Sequence, residues 1–190
     1  MGLDMYLSAK KYVAGYDHCS DIEKRQFLSV LNAVGLDDSH SRRCYTPGAY
    51  VEVTVAYWRK ANCIHNWFVD NVQSGTDDCG SYYVERSQLE SLLALCKEVL
   101  GTIETVEGDV STGTAYYPDG RVEHLSKRGP VVAQTAIAAK KLPTKDGFFF
   151  GGTAYDECYL EDLHVTVDML EAVLTDERLE GWDFKYHASW

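Results

Sequence analysis

The sequence lacks most of the features that quickly place a chain in a class. Basic residues are outnumbered: 18 Lys and Arg face 29 Asp and Glu, for a formal charge of -11 and a pI near 4.9. Neutralising phosphates requires Lys and Arg, so this deficit argues against a nucleic-acid binder and leaves solubility, or attraction to a basic partner, as the effect of the charge. No apolar run approaches the roughly 18 residues that would suggest a membrane span, so no membrane role is expected. The opening MGLDMYLSAKKYV has too few consecutive apolar residues for a secretory signal, and Tyr6 stands where an N-myristoylation pattern needs Ser or Thr. The six cysteines, at 19, 44, 63, 79, 96 and 158, include no CxxC pair. Without a secretory signal they read as free thiols in a reducing cytoplasm. Also missing are GxSxG, HExxH, a Walker loop, a dinucleotide fingerprint, internal repeats and low-complexity tracts.

What is present suits one folded domain. The 190 residues are 45% apolar and 25% charged, ordinary globular values in a chain long enough for a true core. The most informative stretch is VEVTVAYWRKANCIHNWFVDNV, Val51 to Val72. It begins with a period of two, Val51, Val53, Val55 and Tyr57 on one side and Glu52, Thr54, Ala56 and Trp58 on the other, as in a half-buried strand. From Ala61 the period becomes helical, with Ala61, Ile64, Phe68 and Val72 on one face. Earlier, Leu3, Met5 and Leu7 alternate in a first strand reaching Val13. Ser20 to Glu23 has capping-box spacing for a helix that stops at Gly35. Residues 36–49 read as a polar loop with a turn at Pro47-Gly48. Tyr82 to Val84 is short and extended, and Ser87 to Glu90 is a second capping box opening a leucine-rich helix to about Leu100. Pro118-Asp119-Gly120 marks a hairpin within 101–128. Pro130 is expected to open a short Ala-rich helix that ends near Leu142. Phe148 to Phe150 reads as a buried strand, Tyr155 to Leu174 as the last helix, and Trp182 to Trp190 as a terminal strand paired near the central one. The expected fold is a single α+β domain, a mostly antiparallel sheet against three main helices with a β-hairpin insertion.

Candidate chemistry gathers at the strand-to-helix corner. Arg59 offers a planar fork for an anion, Asn62 and Asn66 offer amides, His65 can exchange a proton near neutrality, and Trp58 and Trp67 could stack on a planar group. The alternative is that these residues pack and pair as scaffold. The turn at Gly151 and Gly152, before Tyr155, sits where backbone amides can hold phosphate, but Asp156 and Glu157 in the first turn favour self-capping, and the turn then serves as a pocket wall. The last helix carries an acidic stripe, Glu157, Glu161, Asp168 and Glu171, read as a solvated face or as a contact surface for a basic partner. Its one ExxH pair, Glu161 with His164, is half of what a bundle di-iron site uses, so no metal is assigned and no cofactor is expected. Cys79 follows two aspartates that disfavour its thiolate, and Cys63 and His65, two residues apart, point away from each other on a helix, so a cysteine hydrolase is disfavoured.

Together MGLDMYL, YWRKANCIHNWFVDNV, DDCGSYYV, LPTKDGFFFGGTAYDE and the final ASW resemble a family of uncharacterised bacteriophage, prophage and bacterial proteins. The resemblance covers about 1–13, 50–100 and 142–190, and leaves about 14–49 and 101–141 as variable insertions. It implies a setting, an accessory or counter-defence protein in the cytoplasm of a bacterial host, and no reaction. The leading expectation is a non-catalytic protein that engages a host protein or sequesters a small anionic or nucleotide-like ligand. The second is a small enzyme acting on a nucleotide or related phosphate compound, with His65 as general base and Arg59 as anion clamp. A virion structural role lacks the expected repeat or coiled-coil pattern. The sequence leaves oligomeric state open, a homo-oligomer included.

Overall fold

The computed structural model of the chain describes residues 2–37, 39 and 47–190. Met1, Cys44 and most of the expected 36–49 loop lie outside the described residues. The strands are β1 (Asp4–Ala14), β2 (Gly48–Arg59), β3 (Ser81–Val84), β4 (Thr105–Tyr116), β5 (Val122–Val132) and β6 (Asp183–Ser189). The described helices are α1 (Asp21–Ala33), α2 (Asn62–Asn71), α3 (Arg86–Thr102), α4 (Ala136–Lys141) and α5 (Glu157–Thr175). Four strands form one antiparallel sheet in the order β2-β1-β6-β3, and β4 with β5 forms a separate hairpin. The chain is a single-domain α+β fold. Among the described residues no helix is long and apolar enough to cross a membrane.

The core follows from strand alternation. Leu3, Met5, Leu7 and Ala9 point to one face of the sheet and are fully buried, with Phe184, Tyr186 and Ala188 of β6 beside them. Against that face lie Ile64 and Phe68 of α2, Leu89 and Leu92 of α3, and Leu163 and Leu170 of α5. Phe68 stacks on Tyr186 with ring centroids 3.9 Å apart, tying α2 to the sheet. A smaller cluster, Val13 with Phe27 and Leu31, holds α1 to the far end of the same face. Ser20 caps α1 through the expected box: its Oγ accepts from the Glu23 N–H, and the Glu23 carboxylate accepts from the Ser20 N–H at 2.8 Å.

The structure corrects several sequence expectations. The alternation of β2 is interrupted at Val55, which is unpaired between the Leu7–Ala56 and Ser8–Thr54 positions. This bulge reverses the phase, so that Ala56 and Trp58 turn inward while Tyr57 and Arg59 face out. Phe148 to Phe150 form a turn rather than a strand: Phe148 and Phe149 are exposed, Phe149 has φ +62°, and only Phe150 is buried. The sheet's fourth place goes to β3. The terminal strand β6 lies between β1 and β3, one strand away from β2. Pro130 sits within β5 opposite Glu107, so the short helix starts six residues later. Gly48 does not turn but already pairs with Ala14. The cap of α3 is Glu85, whose N–H donates to Gln88 Oε1 at 2.9 Å, placing Ser87 inside the first turn. The last helix begins at Glu157 behind Asp156, whose carboxylate accepts from the Cys158 N–H.

The hairpin's strands extend far back from the Pro-Asp-Gly turn at its tip, and past Val110 toward that tip it is exposed on both faces. The accessible surface of 11521 Å² exceeds the roughly 9,100 Å² expected of a compact 21.4 kDa monomer, and this arm is one reason.

Between sheet and helix, the buried Trp58 indole N–H donates to Thr166 Oγ at 2.9 Å, the polar link from β2 to α5. Replacing Thr166 by Val keeps the shape and leaves that N–H without an acceptor. Thr166→Val is expected to lower the unfolding free energy by about 1–3 kcal/mol, read as a shifted urea midpoint with an unchanged slope.

Candidate functional site

At the end of β2, the ladder gives out at Arg59 and Lys60 turns the chain with φ +62°, a left-handed conformation that is strained for a side chain of this size. Three contacts hold it: its N–H donates to Leu3 O at 2.8 Å, its carbonyl accepts from the Asn62 N–H at 2.8 Å, and Gly151 packs so closely that a Cβ there would meet Lys60 Cβ at 3.1 Å. The helix then starts without a side-chain cap.

Asn62 and His65 are sealed. Asn62 Nδ2 donates to the carbonyls of Phe150 and Gly152 at 3.2 and 2.8 Å, and its Oδ1 accepts from the Lys145 N–H at 3.1 Å. It pins the loop of residues 144–152 to the helix. His65 is 0% exposed. Its Nδ1 lies 2.7 Å from Tyr186 Oη and its Nε2 2.9 Å from Asp77 Oδ1. A carboxylate can only accept, so Nε2 carries the proton and Nδ1 accepts from the tyrosine. Lys145 Nζ closes the chain at 2.8 Å from the other Asp77 oxygen. Trp58 and Trp67 are buried in the core, and Asn66 reaches toward Asp70 at 3.4 Å. Both His65 nitrogens thus have protein partners, the packed and paired arrangement that the sequence left as the alternative to a general base.

An open cleft of about 890 Å³ lies beside this network. Its lining includes Arg59, Lys60, Gly151, Gly152 and one face of Asn62, the residues 111–113 of β4, and the start of α5. Trp58 contributes from the floor. His65, Asn66, Trp67 and Tyr155 are not part of it; Tyr155 supports the loop, its hydroxyl accepting from the Thr144 N–H at 3.4 Å. Of the expected ligand group, the cleft thus gathers Trp58, Arg59, Asn62, Gly151 and Gly152, with Arg59 exposed.

The same cleft holds Asp156, Glu161 and Asp162. Asp162 makes no side-chain hydrogen bond or ion pair among the described residues. Burial first, and then the nearby Glu161 and Asp156 charges, push its carboxyl up to about 7. Cys63 also borders the cleft, but burial and the Asp162 charge push its thiol well up, which makes it a poor nucleophile. Asp162 was missed in the sequence because the acidic stripe was followed along Glu157, Glu161 and Asp168. The steps from Tyr159 to Asp162, Thr166 and Leu170 place it half-buried along the inward seam of the helix, which is where its carboxyl is partly desolvated. The stripe itself is partly neutralised: Glu157 pairs with Lys127 and Glu171 with Lys97, while Glu161 and Asp168 face out. The described cysteines are all free.

Comparisons with protein-family models, curated proteins and solved structures found no match for this chain.

Substitution separates scaffold from cleft. His65→Ala removes a ring that joins three segments and strands the Tyr186 hydroxyl, so a loss of about 3 kcal/mol or more is expected; Arg59→Ala, at an exposed rim, is expected to leave the melting temperature within about 1–2 °C. The pH dependence has two signs. Burial, only partly offset by Asp77, holds His65 below the usual histidine range. Burial tends to raise Asp77, but hydrogen bonds from Lys145 and His65 outweigh it and hold its carboxyl below the usual range. For both, the unfolded chain binds more protons, so their contributions are lost as pH falls below about 6.5 and again below about 4. Asp162 acts oppositely: its raised folded pKa removes stability as pH climbs from about 4 through 7. Asp162→Asn is therefore expected to stabilise the protein at pH 8 by roughly 1–3 kcal/mol and to change little at pH 4, as measured by urea unfolding at the two values.

Proposed function

We propose that the protein is a small-ligand binding protein whose site is the cleft between the β2–α2 corner, the middle of β4 and the start of α5. The observation that carries this reading is the cleft's composition. An exposed guanidinium, Arg59, stands on its rim, and an unpartnered, desolvated carboxyl, Asp162, stands inside it. A half-buried carboxyl with no ion pair among the described residues weighs against the folded chain, and such groups concentrate where a ligand uses them. An anionic group of the ligand would meet Arg59, and a hydrogen-bonding or cationic group would meet Asp162. The volume suits a nucleotide-sized molecule.

The setting belongs to the same proposal: an accessory protein of a bacteriophage or prophage in the host cytoplasm, as the sequence resemblance implies. A host protein bound through the acidic stripe is supported less well, because two of its four carboxylates already have lysine partners. One observation favours a second reading, a small enzyme. A cleft carboxyl near pH 7 is suited to general acid–base work, with Asp162 in the role first given to His65.

Native mass spectrometry of the freshly purified full chain looks for a retained small molecule. Nucleoside monophosphates serve as probes in a thermal-shift series. Binding at the cleft predicts a shift that is lost in Arg59→Ala and in Asp162→Asn, with the unliganded Arg59→Ala protein melting as wild type. A shift that survives both changes overturns the site. Recovery of intact probe separates binding from turnover.

A further inference from the structure

The sheet has a second face, and no described element packs on it. The helices lie against the side carrying Leu3, Met5 and Leu7, with α1 on the Val13 end of that side. The pairing registers specify what the outer face shows. One row crosses three strands as Tyr57, Tyr6 and His187, with Tyr6 5.2 Å from Tyr57 and stacked 6.2 Å from His187 between ring centroids. Tyr12 lies opposite Tyr50 at 5.1 Å, and Tyr83 stands on β3 beside Lys185. Five of the chain's 13 tyrosines thus occupy one open face, and the outermost two, Tyr50 and Tyr83, are 68% and 65% exposed. Tyrosine supplies large contact area at small entropic cost and is enriched at protein interfaces.

The charges on this face are unlike those of the whole molecule. The register sets Asp4 opposite Arg59 and Lys10 opposite both Glu52 and Asp183, and Lys185 completes three cations against three anions. In a chain of formal charge -11 this is a locally neutral surface with both signs interleaved. Two copies of so acidic a protein repel one another, and least where this neutral face is turned inward. The shape fits as well, since two sheets of identical twist pack face to face at about 10 Å. Four strands about 4.8 Å apart and some 25 Å long present roughly 500–700 Å² each, slightly under the ~800 Å² per partner of a standard interface.

We infer that the outer sheet face is the interface between two copies of this chain, joined about a two-fold axis as a β-sandwich with the helices outside. The area makes the dimer concentration-dependent rather than obligate. Each ligand cleft reaches the edge of this face, where Tyr57 and Arg59 belong to both. The tyrosines form the apolar centre, and the paired charges set the register between copies.

Sedimentation equilibrium of the full chain tests this. The average mass should rise from 21.4 kDa toward twice that value as concentration increases through the micromolar range. Association should tighten between about 50 and 300 mM salt, as repulsion between the two acidic copies is screened. The double variant Tyr50→Lys with Tyr83→Lys should associate at least about tenfold more weakly with an unchanged circular dichroism spectrum. Tyr116→Lys, at an exposed position on the hairpin, should dimerise as wild type. A chain that stays monomeric at every concentration and salt overturns the inference, as does a dimer abolished by Tyr116→Lys but untouched by the sheet-face variant. A different protein captured on this face while the chain itself remains monomeric overturns it too.

Discussion

A histidine can be sealed from water only if both of its ring nitrogens find partners, and the architecture around His65 is built on meeting that condition. Tyr186 answers from the last strand, Asp77 from the loop after α2, and Lys145 holds Asp77 from the loop before α5. Three segments distant in sequence are fixed to one ring. Asn62, one turn earlier, repeats the device with three backbone groups of the 144–152 loop. That loop supplies Gly151 and Gly152 to the cleft wall, so the position of the wall is set by two polar side chains, of which Asn62 borders the cavity and His65 does not. An interior network of this kind is costly when incomplete and rigid when complete.

The cleft shows the opposite economy. Asp162 is desolvated without a partner, and Lys60 is held at a backbone angle that most residues avoid. Both run against stability, and both lie on the lining of the cavity that Arg59 also borders. Local conflicts with folding are expected where a surface does something besides fold. The network beside them supplies the rigidity against which such strain can persist.

Much of this arrangement can be read from the residues. The change of period near Arg59 located the strand and helix, the Ser20–Glu23 box located α1, and Pro-Asp-Gly located the hairpin. The phase of β2 was not legible, because a bulge at Val55 depends on the neighbouring strand's register and leaves no mark in a run of valines and alternating polar residues. Phe148 and Phe149 read as core because hydrophobicity alone does not report a left-handed turn. The corner misled for a related reason: Asn, His, Arg and Lys are the same whether they meet a ligand or a backbone carbonyl, and only the folded path of 144–152 shows which. Asp162 hid among other carboxylates until the helix placed it on the inward seam.

The hairpin's outer half touches little of the rest of the molecule, and its turn at Pro118 to Gly120 lies well away from the sheet. Changes in length there would cost the core almost nothing. The turn is accordingly a natural point for grafting a fluorophore, an affinity peptide or a second domain, leaving the cavity beneath Ser111 and the tyrosine face undisturbed.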